Sequence, residues 1–159
     1  TVYILMGPKG SGKTHIGSLI EKNADVVFLR VESIWLRLKK NENGWKQVVK
    51  AIDLAFRHND TVMVEHLGVG NEFHRYLQTL RGKYRVKMIH VFADPALCLE
   101  RVLNRDSRRH IPVSDDRVAE YNRLALQVTF DWDLEIDNNG PASEENILSS
   151  IRRLLSCKE

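Results

Sequence analysis

The sequence predicts an α/β fold: a five-stranded parallel sheet with helices on both faces. Short apolar runs alternate along the chain with segments of helical period. The first run also passes directly into a glycine-rich loop and then into a helical pattern. Such alternation implies right-handed crossovers, and sheets of this kind bind ligands at the carboxyl ends of their strands. Polar residues that directly follow a strand are therefore the first candidates for a site.

The predicted strands are apolar and mostly rich in β-branched residues, which is typical of strands buried on both faces. The pattern places them at residues 2–6, 26–29, 61–65, 86–92 and 134–136.

The predicted helices repeat apolar residues at steps of three and four. Their apolar faces fall within residues 16–20, 45–56, 73–80, 118–128 and 147–155. Asn71 is the expected cap of the third of these helices. Asp94 followed by Pro95 predicts a further helix with an aspartate cap and a proline in its first turn.

Composition limits the classes of protein that the chain can represent. The 159 residues predict a single domain spanning 1–159, and 43% hydrophobic with 28% charged residues is ordinary globular usage. The net charge of +3 allows an anionic ligand without demanding nucleic acid. No apolar run approaches the roughly 18–20 residues of a membrane span, and no signal-peptide layout is seen. Two distant cysteines, Cys98 and Cys157, predict a reducing, cytoplasmic location.

The most specific motif lies between the first strand and the first helix. It matches G-x-x-x-x-G-K-[ST] in full and reads Gly7-Pro8-Lys9-Gly10-Ser11-Gly12-Lys13-Thr14. The glycines let backbone N–H groups cradle phosphate oxygens, and the helix start adds its positive end. Lys13 is predicted to reach the β- and γ-phosphates of a nucleoside triphosphate, and the Thr14 hydroxyl to bind Mg²⁺. A purely structural glycine turn is the alternative, which the strand–loop–helix context disfavours.

Several classes of phosphate-loop protein are excluded by missing motifs. The chain has no Asn-Lys-x-Asp sequence for guanine, no Leu-Ser-Gly-Gly-Gln sequence of transporter ATPases and no Asp-Glu at the end of its third strand. Small nucleoside-triphosphate-dependent kinases remain. The stretch from His90 to Leu124 supports this class, with Asp94-Pro95, Leu99-Glu100-Arg101-Val102, Asn104-Arg105-Asp106-Ser107-Arg108-Arg109 and Ile111-Pro112-Val113. The chain resembles a small P-loop kinase of the group that includes shikimate, gluconate and polynucleotide kinases.

The resemblance implies a three-layer sandwich with a short arginine-rich lid at about residues 104–114. Fixed guanidinium groups stabilise the charge that spreads over a transferring phosphoryl group, so Arg105 and Arg109 are predicted to be catalytic. Arg101 would stack near the adenine of ATP, and Arg108, Asn138 and His15 would also contact the nucleotide. A solvated basic helix end is the alternative for the arginines.

Two carboxylates are candidates for the chemistry. By resemblance, Glu32 occupies the place of an acidic residue that binds the acceptor hydroxyl or acts as its base. Glu65 ends the third strand beside the expected phosphates, where it would hold Mg²⁺ or orient the acceptor. The alternatives are a helix-terminal charge for Glu32 and an ion pair for Glu65. Arg30 and the run His66-Leu67-Gly68-Val69-Gly70 depart from the paired aspartates and triple glycine of shikimate-type enzymes.

The acceptor-binding insert is predicted at about residues 32–60. Arg37 and Arg57 would clamp a carboxylate or phosphate of the acceptor, because the guanidinium fork matches such groups. Trp35 would stack on an acceptor ring, whereas Trp45 fits an apolar stripe and is expected in the core. His66 is a further candidate contact for the acceptor.

The predicted function is an ATP- and Mg²⁺-dependent kinase that transfers the γ-phosphoryl group to a hydroxyl or phosphate of a small-molecule acceptor. A nucleotide-binding regulatory protein without phosphotransfer is the alternative, motivated by Arg30 and the missing glycine run. A 5′-hydroxyl kinase for nucleic acid is a third possibility, weakened by the small net charge. No membrane partner is predicted, and the oligomeric state stays open.

Overall fold

The computed structural model describes residues 1–105, 113–140 and 143–156. Its sheet has five parallel strands in the order β2-β3-β1-β4-β5, which confirms the predicted fold class. The strands are Val2–Met6 (β1), Val27–Leu29 (β2), Val62–His66 (β3), Val86–Phe92 (β4) and Leu134–Asp137 (β5).

Helices cover both faces of this sheet. In chain order they are Lys13–Asn23 (α1), Val31–Leu36 (α2), Gly44–Ala55 (α3), Asn71–Lys83 (α4), Pro95–Leu103 (α5), Asp115–Leu126 (α6) and Glu144–Ser156 (α7). Apolar residues of α3 and α4 pack on one face of β1, and those of α1 and α7 pack on the other. The short helix α2 spans less than two turns, so its apolar period is too brief to be recognised in the sequence.

The starts of two helices test the sequence signals for caps. The side chain of Asp94 accepts a hydrogen bond from the Ala96 N–H at 2.9 Å, and Pro95 follows in the first turn of α5, as predicted. The prediction for α4 is wrong by one residue. Gly70 occupies the cap position without a side-chain bond, and Asn71 already has helical geometry.

The central position of β1 brings the phosphate-loop motif beside the polar end of β3. Leu5 lies opposite Glu65 and Met6 opposite His66 in the parallel pairing. The N–H of Gly7 then donates to the His66 carbonyl at 3.3 Å. Two segments separated by more than fifty residues in the sequence are thereby fixed at one edge of the sheet.

The predicted lid at residues 104–114 falls mostly outside the described residues, and so do Arg108 and Arg109. Among the residues that the structure describes, no helix has both the length and the apolar character needed to cross a bilayer.

Candidate active site

A cavity of about 640 Å³ opens at the carboxyl edge of the sheet. The phosphate loop lines one end of it, and residues from α2, α3 and the end of β3 line the other. The lining residues are Lys9, Gly10, Gly12, Lys13, Thr14, His15, Val31, Glu32, Trp35, Trp45, Glu65, His66, Leu67, Gly68, Val69, Arg101, Arg105 and Tyr121.

The phosphate loop has the backbone that its glycines predict. Gly10 adopts the left-handed region with φ of 86°, and a Cβ at this position would overlap the carbonyl of Cys98 on α5. The Lys13 ammonium donates to the carbonyls of Gly7 at 2.7 Å and Pro8 at 2.8 Å. Burial lowers the pKa of Lys13 to about 8, and the nearby Glu65 carboxylate opposes that shift. Lys13 is thus protonated at neutral pH in a setting that favours an anionic ligand.

Thr14 and Glu65 form the centre of the phosphate end. The Thr14 hydroxyl donates to Glu65 Oε2 at 2.6 Å, although the two residues are far apart in sequence. Glu65 is buried, and its other oxygen, Oε1, has no hydrogen-bond partner among the described residues. The buried Ser11 hydroxyl also has none within that part of the chain. Buried polar atoms without partners are costly, so these two atoms are suited to contact a bound ligand or cation.

Side chains from three other elements brace the phosphate loop. Asn122 of α6 accepts from the Lys9 N–H at 2.7 Å and donates to the Lys9 carbonyl at 2.9 Å. The Asn138 amide, just after β5, donates to the Ser11 carbonyl at 2.7 Å. The Arg101 guanidinium of α5 donates to the carbonyls of Gly10 at 3.4 Å and Asn138 at 2.9 Å. The loop is therefore held from outside as well as by its own turn.

The other end of the cavity combines aromatic rings with one carboxylate. Trp35 and Trp45 meet edge to face, with ring centroids 5.6 Å apart. Trp45 also packs against the hydrophobic core, as predicted, while lining the cavity. Glu32 lies near the loop, with Oε1 at 3.4 Å from the Lys9 ammonium. This carboxylate is thus located between the aromatic wall and the phosphate end.

His66 lies in the wall as a neutral ring. Its Nε2 shares a hydrogen bond of 2.9 Å with the Tyr76 hydroxyl. Burial, with a smaller contribution from Lys13, lowers the pKa of His66 to about 3, and burial also raises the pKa of Tyr76. His66 is therefore uncharged at neutral pH and contributes a polar, flat surface.

The structure brings most of the predicted site residues together but leaves two of the predicted acceptor contacts outside the cavity. Arg37 and Arg57 are exposed, and neither lines the cavity. His15 lines it and lies 3.3 Å from Glu144, an exposed pair that contributes little to stability. Arg105 follows α5 and lines the cavity, whereas Arg108 and Arg109 lie outside the described residues.

Sequence reasoning missed Asn122 and the second role of Trp45. An asparagine in the middle of an amphipathic helix is usually a surface residue, so nothing nearby in sequence marks Asn122 as a buried loop contact. Its burial on α6 is the only signal, and burial is a property of the folded chain.

The parallel sheet and the phosphate loop together give this chain the fold of small P-loop kinases. No protein-family model and no curated protein sequence matches the chain. Solved structures do match it, and they include a sugar kinase, shikimate kinases and a gluconokinase.

Three of these structures illustrate the likeness. A sugar kinase from a Janibacter species is 13% identical with a TM-score of 0.67, over 97% of this chain and 93% of that chain. The shikimate kinase from Acinetobacter baumannii in complex with shikimate is 18% identical with a TM-score of 0.65, over 99% and 94%. The tunicamycin resistance protein from Deinococcus radiodurans is 18% identical with a TM-score of 0.66, over 99% and 96%. The TM-scores and coverage establish a common fold across the chain, and at these identities the likeness is one of fold alone.

Proposed function

We propose that the chain is an ATP- and Mg²⁺-dependent kinase that transfers the γ-phosphoryl group to a hydroxyl of a small-molecule acceptor. One observation carries the proposal. A complete phosphate loop, with Thr14 bonded to the buried Glu65, shares a single cavity with a second carboxylate, Glu32. Structural neighbours that include sugar, shikimate and gluconate kinases support the same class.

The phosphate end has the groups that a triphosphate requires. Backbone N–H groups of the loop and the start of α1 bind phosphate oxygens, and the Lys13 ammonium stabilises their charge. The partnerless Ser11 hydroxyl is suited to donate to a phosphate oxygen. Asn138 and Arg101 adjoin the loop and are proposed to flank the nucleotide base.

Thr14 and Glu65 have the oxygen ligands that Mg²⁺ prefers. Because Oε1 of Glu65 has no hydrogen-bond partner among the described residues, it can bind a cation directly or accept from a water on that cation. The described residues contain no group of three His, Cys, Asp or Glu side chains placed to hold a metal. Mg²⁺ would therefore be held by one or two protein oxygens together with phosphate, and it would supply charge neutralisation at the phosphates.

Glu32 is the proposed acceptor group. Its carboxylate adjoins Lys9 of the loop, so an acceptor hydroxyl bonded to Glu32 would lie near the phosphates. A carboxylate in that place orients the hydroxyl and takes its proton as phosphoryl transfer proceeds. Arg105 of the described residues, and Arg109 outside them, are proposed to stabilise the transferring group.

The test is ADP release from Mg·ATP in the presence of sugar acids, cyclitols, nucleosides, nucleotides and hydroxylated antibiotics. Lys13→Ala should lower acceptor-stimulated release by at least about a hundredfold, because it removes a fixed charge at the transferring phosphates. Lys46→Ala, an exposed lysine on α3, is the matched control and should retain release.

Two outcomes would contradict the proposal. Equal turnover in Lys13→Ala and the unmodified chain would show that the loop does not support catalysis. Tight ATP binding without stimulation by any acceptor would favour the regulatory alternative.

A further inference from the structure

The acceptor end of the cavity is walled by flat rings. Trp45 stacks in an offset manner on His66, with centroids 5.6 Å apart and 24° between the planes, and Trp35 meets Trp45 at 87°. All three rings line the cavity, and both tryptophans are half-buried. A ligand entering this end therefore meets aromatic surface.

The rings are held in place by packing. Gly44 is the first residue of α3, and a Cβ at that position would overlap the six-membered ring of Trp35. Trp45 is supported from behind by Tyr76, with centroids 5.1 Å apart. A wall whose rotamers are fixed by packing loses little entropy when a ligand binds.

Two of the basic residues of the cavity, Lys13 and Arg101, are bonded to its phosphate loop. Among the described residues, the basic side chains that line it are Lys9, Lys13, Arg101 and Arg105, together with His15. Lys13 and Arg101 donate to backbone carbonyls of the phosphate loop, and the Lys9 ammonium faces Glu32. Lys9 and Lys13 lie in the loop, Arg101 lies on α5, and Arg105 follows α5.

The guanidinium groups expected near the acceptor are elsewhere. Arg37 and Arg57 are exposed and outside the cavity. Arg30 precedes α2 and does not line the cavity, although its buried Nε has no hydrogen-bond partner among the described residues. An anionic acceptor would instead meet Glu32, whose charge is offset by the Lys9 ammonium at 3.4 Å and so gives the acceptor no net attraction.

We propose that the acceptor is an uncharged hydroxyl compound that carries an aromatic or heteroaromatic ring, such as a nucleoside or an aryl diol. The ring packs against Trp35 and Trp45, and the hydroxyl bonds to Glu32. This inference rests on the proposed kinase function, because it assigns the second ligand of the same cavity. It predicts that sugar acids and cyclitol acids bind more weakly than such a compound.

The test compares the binding of matched compounds with and without a negative charge. The pairs are adenosine with adenosine 5′-monophosphate, and 1-phenyl-1,2-ethanediol with mandelate; shikimate and gluconate represent acids without an aromatic ring. Calorimetry in Mg²⁺ and a non-hydrolysable ATP analogue measures binding without turnover. At least one uncharged ring compound should bind, and its charged partner about tenfold or more weakly.

Two results would overturn the inference. One is that shikimate, gluconate or a charged partner binds as tightly as the best uncharged compound, most directly if Arg30→Gln abolishes that binding. Failure of every uncharged ring compound to bind at millimolar concentration would also overturn it.

Removing one ring tests the wall itself. Trp35→Leu should weaken binding of the uncharged ring compound about tenfold, which is the usual contribution of one stacked ring, and leave nucleotide affinity unchanged. Trp132→Leu is the matched control, since Trp132 stacks on His90 at 4.5 Å and does not line the cavity. Thermal unfolding establishes that both variants fold. Equal loss in both variants would contradict a specific role for Trp35.

ADP release separates this inference from the proposed function. Fastest release with shikimate or gluconate would retain the kinase and overturn the aromatic acceptor. Binding of an aromatic compound without release by any acceptor would support the wall and contradict phosphotransfer.

Discussion

The two ends of the cavity are built in opposite ways. The phosphate end is made mainly by eight consecutive residues, 7–14, whose backbone is held by bonds from α5, α6 and the chain after β5. The acceptor end is made by side chains from α2, α3 and the end of β3, which share no continuous motif. The first end presents backbone amides, whereas the second presents aromatic rings and a carboxylate.

This difference follows from what each end is proposed to recognise. Phosphate is a common group that backbone N–H donors bind in one geometry, so a short motif suffices for it. An individual acceptor is distinguished by shape and charge, which only a particular set of side chains provides. The phosphate end should therefore respond to changes in charge, and the acceptor end to changes in shape.

Beyond Lys13→Ala, the largest effect is expected at the bond between Thr14 and Glu65. Glu65→Gln keeps the size of the side chain but removes the charge that would attract Mg²⁺. We expect acceptor-stimulated ADP release to fall about a hundredfold and the Mg²⁺ concentration for half-maximal rate to rise. A Mg²⁺ titration of the rate measures both.

Glu135→Gln is the control for that substitution. Glu135 is an exposed carboxylate on β5 that lies 3.0 Å from His90, outside the cavity. An unchanged Mg²⁺ requirement in Glu65→Gln would show that Glu65 serves only to orient Thr14.

A smaller effect is expected where α6 braces the phosphate loop. Asn122→Ala removes two hydrogen bonds to the Lys9 backbone, each contributing about 1 kcal/mol. The loop would become less ordered before binding, so we expect nucleotide affinity to fall about tenfold. Calorimetric titration with the ATP analogue measures it.

Asn146→Ala, at an exposed position on α7, should leave nucleotide affinity unchanged. If Asn122→Ala also bound the nucleotide normally, the glycines and Lys13 alone would maintain the loop.

The smallest effect concerns stability at the acceptor end. Burial lowers the pKa of His66 from 6.5 to about 3, so between these values the unfolded chain binds a proton that the folded chain does not. The free energy of unfolding should therefore decrease as the pH falls from 6.5 toward 3.

His66→Gln retains a polar partner for Tyr76 and removes that titration. Chemical denaturation between pH 4.5 and 7 should show a shallower decline in this variant than in the unmodified chain. His74→Gln, an exposed histidine on α4, should leave the slope unchanged. Identical slopes in all three proteins would mean that the pKa of His66 is not lowered in the folded chain.

Much of the fold follows from local patterns. Apolar runs and helical periods located all five strands to within a residue at either end, and the Asp94-Pro95 signal located the start of α5. The short helix α2 was missed, because six residues contain too few turns to display a period. The cap of α4 is Gly70 and not Asn71, at a position whose φ of 92° favours glycine.

The candidate site could be predicted only where it is continuous in sequence. Lys13 and Thr14 were recognised from the motif that contains them. The bracing role of Asn122 was not, because it depends on contact between residues 113 positions apart. The outward positions of Arg37 and Arg57 were likewise invisible, since the packing of α2 and α3 decides which side chains face the cavity.

The sequence by itself determined the parallel α/β class and the phosphate loop, because both arise from short-range periodicity and from the backbone freedom of glycine. The tertiary structure decided the rest of the site. Parallel pairing of β1 with β3 carried Glu65 to Thr14, and the packing of α2 against α3 set Trp35 against Trp45. The physical reason is that hydrogen bonds and ring contacts act over a few ångströms, whatever the distance between the residues along the chain.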